Sequence, residues 1–355
     1  MNPEPGSILV TGGAGFVGSN LCLALREAMP EADIVAMDNF YRRGSELNEP
    51  RLLAAGVNVH RGDVRHADTF PRGRFDFVVE CSAEPSVMAG QDGNPDYLYH
   101  TNLTGAYHCL EAARRWNAAM VFLSTSRVYP IARLESHPWT EEETRFAWQD
   151  DGVHGISSRG VTEQVDLTGA RSLYGFTKLA AEQLIGEYRE TYGLRAVINR
   201  CGVIAGPWQF GKIDQGVIAL WVMAHHFRDA LQYIGYGGTG KQVRDVLHVA
   251  DACDLIIRQI RDFPAWDGWV GNVSGGLRNS LSLRELTRIC QEVTGNTVPI
   301  AEVPERRPSD LRIFIGDSER VLSRTDWRPG KDPLQIVTDL HGWVRECEHS
   351  LAAHR

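Results

Sequence analysis

Residues 7–18 read Ser7-Ile8-Leu9-Val10-Thr11-Gly12-Gly13-Ala14-Gly15-Phe16-Val17-Gly18, an apolar run that breaks into a glycine-rich turn. Ser7 to Val10 predicts a short buried strand, and Phe16 to about Ala28 a helix, with Gly12, Gly13, Gly15 and Gly18 in the turn between them. Glycine lets the backbone turn tightly and lets a pyrophosphate approach the amides, while the helix start offers free N–H donors and a positive dipole end. The next apolar strand, Asp33 to Met37, ends in Asp38, twenty residues after Gly18. A carboxylate there binds both ribose hydroxyls of NAD and repels the extra phosphate of NADP. Strand, turn, helix, strand and terminal acid in that order predict a dinucleotide site. Its expected contacts here are Gly12, Gly15, Phe16, Val17, Asp38, Asn39, Phe40 and Arg43. Arg42 and Arg43 pull the other way, because arginines near the ribose can hold a 2′-phosphate.

The same rhythm continues. Apolar strands at 57–60, 75–80, 120–124 and 196–200 alternate with helical stretches at 46–55, 96–116 and 171–192. Repeated β–α units predict an α/β, Rossmann-type doubly wound parallel sheet. This first domain is expected to span 1–205, interrupted by a polar, aromatic-bearing insertion at 130–170 with Trp139, Phe146 and Trp148. An insertion of that length in a compact domain reads as a lid more readily than as idle surface. After 205 the rhythm loosens, with helices expected near 215–227, 249–261, 283–294 and 334–352. Residues 206–355 read as a smaller substrate-binding lobe whose elements interleave with the first domain.

The bulk numbers exclude several classes. A net charge of −8 without any Lys/Arg run argues against a nucleic-acid partner. Seven cysteines scattered through apolar segments, with neither paired nor zinc spacing, read as reduced thiols in a cytoplasm and predict no metal site. No stretch has transmembrane length and the first residues lack a signal-peptide pattern, so no membrane is expected.

Tyr174 and Lys178 lie four residues apart on the expected helix, hence on one face. An ammonium beside a phenol stabilises the phenolate and lowers its pKa towards working pH. Such a tyrosine can take the proton of a sugar hydroxyl while hydride leaves the same carbon, and the lysine can also hold the nicotinamide ribose. A third hydroxyl belongs at the carboxyl end of the fifth strand, where ligands meet parallel sheets. There Thr125 is the expected partner of the reacting oxygen, with Ser124 and Ser126 as neighbouring hydroxyls able to exchange roles with it.

With these in place the chain resembles the nucleotide-sugar epimerase/dehydratase family of extended short-chain dehydrogenases. The resemblance rests on the glycine turn, Gly62-Asp63-Val64, Asn102-Leu103-Thr104-Gly105, Tyr174 with Lys178, Ala205-Gly206-Pro207, the stretch Arg244 to Asp251, and Arg307 to Arg312. It implies that Asp63 and Val64 lie at the adenine, that Ser82, Ala83, Asn102 and Ser124 line the cofactor, and that Val203 sits by the nicotinamide. It implies Arg244 and Arg312 as phosphate holders, a use suited to bidentate guanidinium. It also implies a homodimer built on the two long helices. Taken singly, each arginine reads as a surface ion-pair partner.

Two features bear on the branch. Dehydratases of this family carry Asp-Glu directly after the active-site threonine; here Ser126-Arg127 stand there and cannot perform that proton transfer. Residues 38–48 and 205–216 resemble the equivalent stretches of the CDP-paratose 2-epimerase branch. That implies transient oxidation to a keto-sugar, return of hydride to the opposite face, and Glu84, Ser86, Arg127, Gln209, Lys212 and Gln215 near a CDP- or UDP-linked sugar. Glu84 departs from the neutral residue usual after the fourth strand, and it reads either as a sugar ligand or as an ion-pair partner of Arg127. A UDP-sugar 4-epimerase, a nucleotide-sugar reductase or dehydratase, and a non-catalytic NAD-sensing scaffold are the competing readings.

Overall fold

The computed structural model describes residues 5–353 except 92, 151 and 211–215. The chain forms two compact units. Unit 1 comprises Met1–Thr125, Leu173–Arg200 and Ala252–Val270. Its elements include β1 (Ser7–Thr11), α1 (Phe16–Ala28), β2 (Asp33–Asp38), α2 (Asn48–Ala54), β3 (Asn58–Arg61), β4 (Phe77–Glu80), α3 (Asp96–Tyr99), α4 (Gly105–Trp116), β5 (Ala119–Thr125), α5 (Leu173–Tyr192) and β6 (Ala196–Cys201).

The strands belong to a seven-stranded sheet in which β7 is Val270–Val273 and the order is β7-β6-β5-β4-β1-β2-β3. Pairing is parallel, with Ser7 opposite Asp33, Ile8 opposite Phe77, Val35 opposite Asn58 and Phe77 opposite Ala119. Ile8, Leu9, Val10, Val78, Val79, Met120 and Val121 are fully buried, as strands covered on both faces require. Leu110 and Ala113 of α4 and Ala181 and Ile185 of α5 complete the core against Leu9, Met120 and Ile198. The long helix expected at 96–116 is instead α3 and α4 joined through a π turn, His100–Thr104.

The glycine turn is built as its composition demands. Gly13 N–H donates to Met37 O at 3.0 Å, and a Cβ at Gly13 would stand 2.6 Å from Ala36 Cα. A Cβ at Gly18 would meet the Gly12 carbonyl oxygen at 2.1 Å, so only glycine lets α1 begin this close to its own turn.

Unit 2 comprises Ser126–Ser172, Cys201–Asp251 and Gly271–Arg355. Helices Val217–Phe227, Leu283–Thr294 and Pro333–Glu346 bury Trp221, Leu286, Leu340 and Trp343 against Ala205, Val246 and Leu281 of short strands. The helix Leu283–Thr294 starts with a capping box: Ser282 Oγ accepts from Glu285 N–H, and Glu285 Oε2 accepts from Ser282 N–H. Residues 130–170 are not irregular. They hold a helix, Ile131–Ser136, and two hairpins, Trp139–Glu141 with Phe146–Trp148 and Ile156–Ser157 with Gly160–Val161. Arg145 ties the first hairpin to Glu285, with Nε 2.9 Å from Oε1.

Strand Val243–His248 ends in a buried histidine. Its Nδ1 accepts from Ala250 N–H at 3.0 Å, and Asp339, 3.4 Å from Nε2, is held at 2.6 Å by Lys331. Burial, then Lys331, bring the His248 pKa down to about 4 against the pull of Asp339. The unfolded chain takes up this proton as pH falls through about 6.5, whereas the folded chain resists until about 4, so this contribution to stability is lost across that window. His248→Asn keeps an acceptor for Ala250. The stability advantage of the parent over this variant, read from denaturant melts, should shrink by roughly 2–3 kcal/mol between pH 6.5 and 4.

Candidate active site

At the carboxyl end of β2 the two sequence signals of the dinucleotide motif become one object. Asp38 Oδ2 accepts from Ala14 N–H at 3.0 Å and Oδ1 from Phe40 N–H at 2.8 Å, so the terminal acid braces the glycine turn. Burial raises the Asp38 pKa, and these backbone donors oppose the rise. Phe40 adopts φ +55° and lies under the Arg61 guanidinium, 4.2 Å from its ring centroid. Asn39 donates to Asp63 Oδ2 at 3.0 Å. Burial works against the Asp63 carboxylate, yet Arg65 and Asn39 hold its pKa down to about 2. Arg43 is exposed, and Val64 is buried beneath α4, where its side chain would touch a Cβ at Gly105.

The residues present fit a dinucleotide. A Cβ at Gly12 would stand 2.8 Å from Ser82 N, and one at Gly15 would stand 3.0 Å from Gly12 O, so side chains there would crowd the cradle. Ser82 Oγ is buried without a hydrogen-bond partner among the described residues, an open polar atom in that cradle. Gly15, Phe16 and Val17 open α1 beside it, and Ala83 follows Ser82.

Thr125 ends β5, Tyr174 stands in the first turn of α5, and Lys178 follows one turn later on the same face. All three are buried in unit 1. Asn102, on the π turn, clamps this arrangement. Its Oδ1 accepts from Glu84 N–H at 2.8 Å, and its Nδ2 donates to Glu84 O at 3.0 Å and to Thr177 Oγ1 at 3.2 Å. Thr177 Oγ1 in turn donates to Tyr174 O at 2.9 Å. Ser124 Oγ donates to Glu182, which Arg200 grips through Nη2 at 2.7 Å. Sequence reading missed three of these groups: Glu182, Arg200 and Glu80, whose Oε2 lies 3.3 Å from Lys178 Nζ. Glu80 had a local signal, an acid closing the otherwise apolar strand Phe77-Val78-Val79-Glu80.

The expected substrate contacts fall in both units. In unit 1, Glu84 Oε1 accepts from Ser86 N–H at 3.1 Å, and Ser86 Oγ accepts from Met88 N–H at 3.1 Å. In unit 2, Arg127 Nη1 donates to Ser309 O at 3.2 Å and Gln209 Nε2 to Ile204 O at 3.0 Å. Arg244 pairs with Asp310 at 2.9 Å, and Arg312 lies 3.6 Å from Glu135 and 4.0 Å over the Trp139 ring. Val203 opens the strand Val203–Ala205. Lys212 and Gln215 lie outside the described residues. Among the described residues no cluster of His, Cys, Asp and Glu has the arrangement of a metal site, and no helix is long and apolar enough to cross a membrane.

A parallel sheet in the order 3-2-1-4-5, a glycine turn braced by the acid that ends the second strand, and a tyrosine–lysine pair beside the fifth strand place the chain in a Rossmann-type class. Residues 8–267 match the NAD dependent epimerase/dehydratase family, and the chain belongs to it, with NAD as its cofactor. It is 30% identical to the CDP-paratose 2-epimerase of Salmonella typhi, covering 95% of this chain and 98% of that one. It is 28% identical to the UDP-glucose 4-epimerase of Streptomyces lividans over 95% and 96% of the two chains. Among solved structures, its fold resembles UDP-glucose 4-epimerase of Thermotoga maritima, with TM-score 0.76, 21% identity and coverage of 96% and 99%.

Asp38→Ala should weaken NAD binding by about 10- to 100-fold, the loss expected for charge-assisted bonds to two hydroxyls, and weaken NADP binding far less. Calorimetric titration of cofactor-free protein with each dinucleotide measures the contrast; equal losses would take Asp38 away from the ribose.

Proposed function

We propose that this enzyme inverts one carbon of a nucleotide-activated sugar, and that its substrate is a CDP-linked sugar inverted at C2. The observation that carries the reading is the pairing of an intact Tyr174–Lys178 face with Ser126-Arg127 after Thr125. Those residues supply one proton-transfer site and no acid–base pair for eliminating water. Similarity to a CDP-paratose 2-epimerase along nearly the whole of both chains supports the choice of nucleotide and carbon. Similarity to several proteins named UDP-glucose 4-epimerase supports a second reading, inversion at C4 of a UDP-sugar.

Tyr174 takes the proton of the reacting hydroxyl as a phenolate and gives it back to the carbonyl oxygen, acting as base and then acid. Thr125 donates a hydrogen bond to that oxygen and fixes its distance from the phenol. Lys178 stabilises the phenolate. NAD, held by the glycine turn, Asp38 and Lys178, supplies when bound the two-electron acceptor that makes the ketone and then undoes it. Burial of Thr125, Tyr174 and Lys178 keeps water from the proton path. Arg244 and Arg312 engage the phosphates and Glu84 a sugar hydroxyl. We further propose a cytoplasmic homodimer; the exposed Tyr99, Tyr107, Leu173, Phe176 and Tyr192 on helices α3, α4 and α5 support the dimer.

The test is a CDP-sugar deuterated at C2, incubated without added cofactor. The inverted product should keep its deuterium; loss of label to water, or build-up of reduced cofactor, would overturn the reading. Tyr174→Phe should lower turnover by about 1,000-fold with bound NAD unchanged. Arg244→Ala should raise KM about 10-fold or more with kcat little altered.

A further inference from the structure

Glu80 ends β4 with its side chain 1% exposed, and its Oε2 lies 3.3 Å from the Nζ of Lys178, itself 2% exposed. The Phe122 ring of β5 lies 4.1 Å from the same Nζ. Tyr174, the phenol this ammonium serves, stands one turn earlier on α5. A carboxylate and an ammonium therefore share one dry corner, with a phenol one helical turn away along α5. We propose that Glu80 is a positioning residue of the reaction, pinning the Lys178 ammonium and setting, through its own charge, how much of that ammonium's field reaches the Tyr174 phenol. The proposal rests on Tyr174 being the proton-transferring residue.

The other titratable groups nearby leave the decision to these three. Cys81 after β4 and Cys109 on α4 face the pair, and burial, then Glu80, push both thiols up, so they stay neutral. Cys22 on α1 and Cys253, which act on Cys81, are likewise pushed up by burial. Glu182, one turn beyond Lys178, is neutralised by Arg200. Burial raises the Glu80 carboxyl and Lys178 pulls it back, the balance of a buried ion pair. An anion beside Lys178 opposes formation of a second anion on Tyr174. Without it, the Phe122 ring still lies beside the Lys178 Nζ, and the field of that ammonium is no longer shared with a carboxylate. Removing the Glu80 charge should therefore make Tyr174 more acidic.

The experiment is a pH titration of the NAD-loaded protein carrying tyrosine labelled with carbon-13 at the phenolic carbon, with Tyr174 assigned by its loss in Tyr174→Phe. In Glu80→Gln the Tyr174 midpoint should fall by about one pH unit or more. The acid limb of kcat against pH should move down equally, with KM unchanged. Glu80→Asp, which restores the charge, should return both towards the parent, and Glu80→Met should shift them as Glu80→Gln does if the latter folds poorly. A midpoint unchanged in both neutral variants, or one that rises, would overturn the proposal. The titration needs no substrate, so failure to turn over any nucleotide sugar would count against the proposed function and not against this coupling.

Discussion

A lysine ammonium taken out of water costs several kcal/mol unless other charges or dipoles replace its hydration. Lys178 meets that requirement with Glu80 on one strand and the ring of Phe122 on the next. Glu80 ends β4 and Phe122, its register partner, lies midway along β5, so the cation is held where α5 packs on β5 beside β4's last residue. The same placement brings Tyr174 and Thr125 to the sheet edge at which a doubly wound fold binds its ligands. The buried core of Leu9, Met120, Ile185 and Ile198 supports this geometry, because any slip of α5 over β5 would separate the ammonium from both partners.

The cofactor side is braced in a similar way. Asp38 accepts from the amides of Ala14 and Phe40, so its carboxylate is oriented by the turn it sits beside. Asn102 connects this side to the chemistry, holding both backbone groups of Glu84 and the hydroxyl of Thr177. It does so from a π turn, whose wider spacing reorients side chains relative to a regular helix and is often found at functional sites. A buried amide with all these bonds satisfied is rigid, which suits a loop that carries Ser82 and Glu84 past the cofactor cradle.

What the sequence discloses and what it hides divide along a physical line. The glycine turn, Asp38 and the helical spacing of Tyr174 and Lys178 are local patterns, and the elements around them stand where periodicity puts them. The π turn is invisible to a period count because both of its flanks are helical. The hairpins within 130–170 escape because their stabilisation is distant: Arg145 meets Glu285, 140 residues later, and Glu285 is at once a helix cap and an ion-pair partner. Glu182 and Arg200 look like surface charges on a helix and a strand until the fold turns them towards each other and buries them.

The phosphate role proposed for Arg244 and Arg312 need not compete with the ion pairs they already make. Asp310 and Glu135 hold the two guanidiniums, and Trp139, Tyr236 and Phe146 surround that of Arg312 at 4.0, 4.9 and 5.6 Å. An arginine fixed in this way has already lost most of its rotamer freedom, so a phosphate that reaches it pays little further ordering cost. Arg244 already gives Nη1 to Val243 O and Nη2 to Asp310 Oδ1 and Leu311 O, so an anion beside the acid would use the donors of the fork that remain. The acids lower the local positive field and so weaken any small monoanion. A diphosphate, with more charge, is repelled by those acids more than a monoanion is, and its gain has to come from more acceptors bridging more donors. A preference for a diphosphate at these arginines would therefore rest on the number and geometry of their donors and not on the local field.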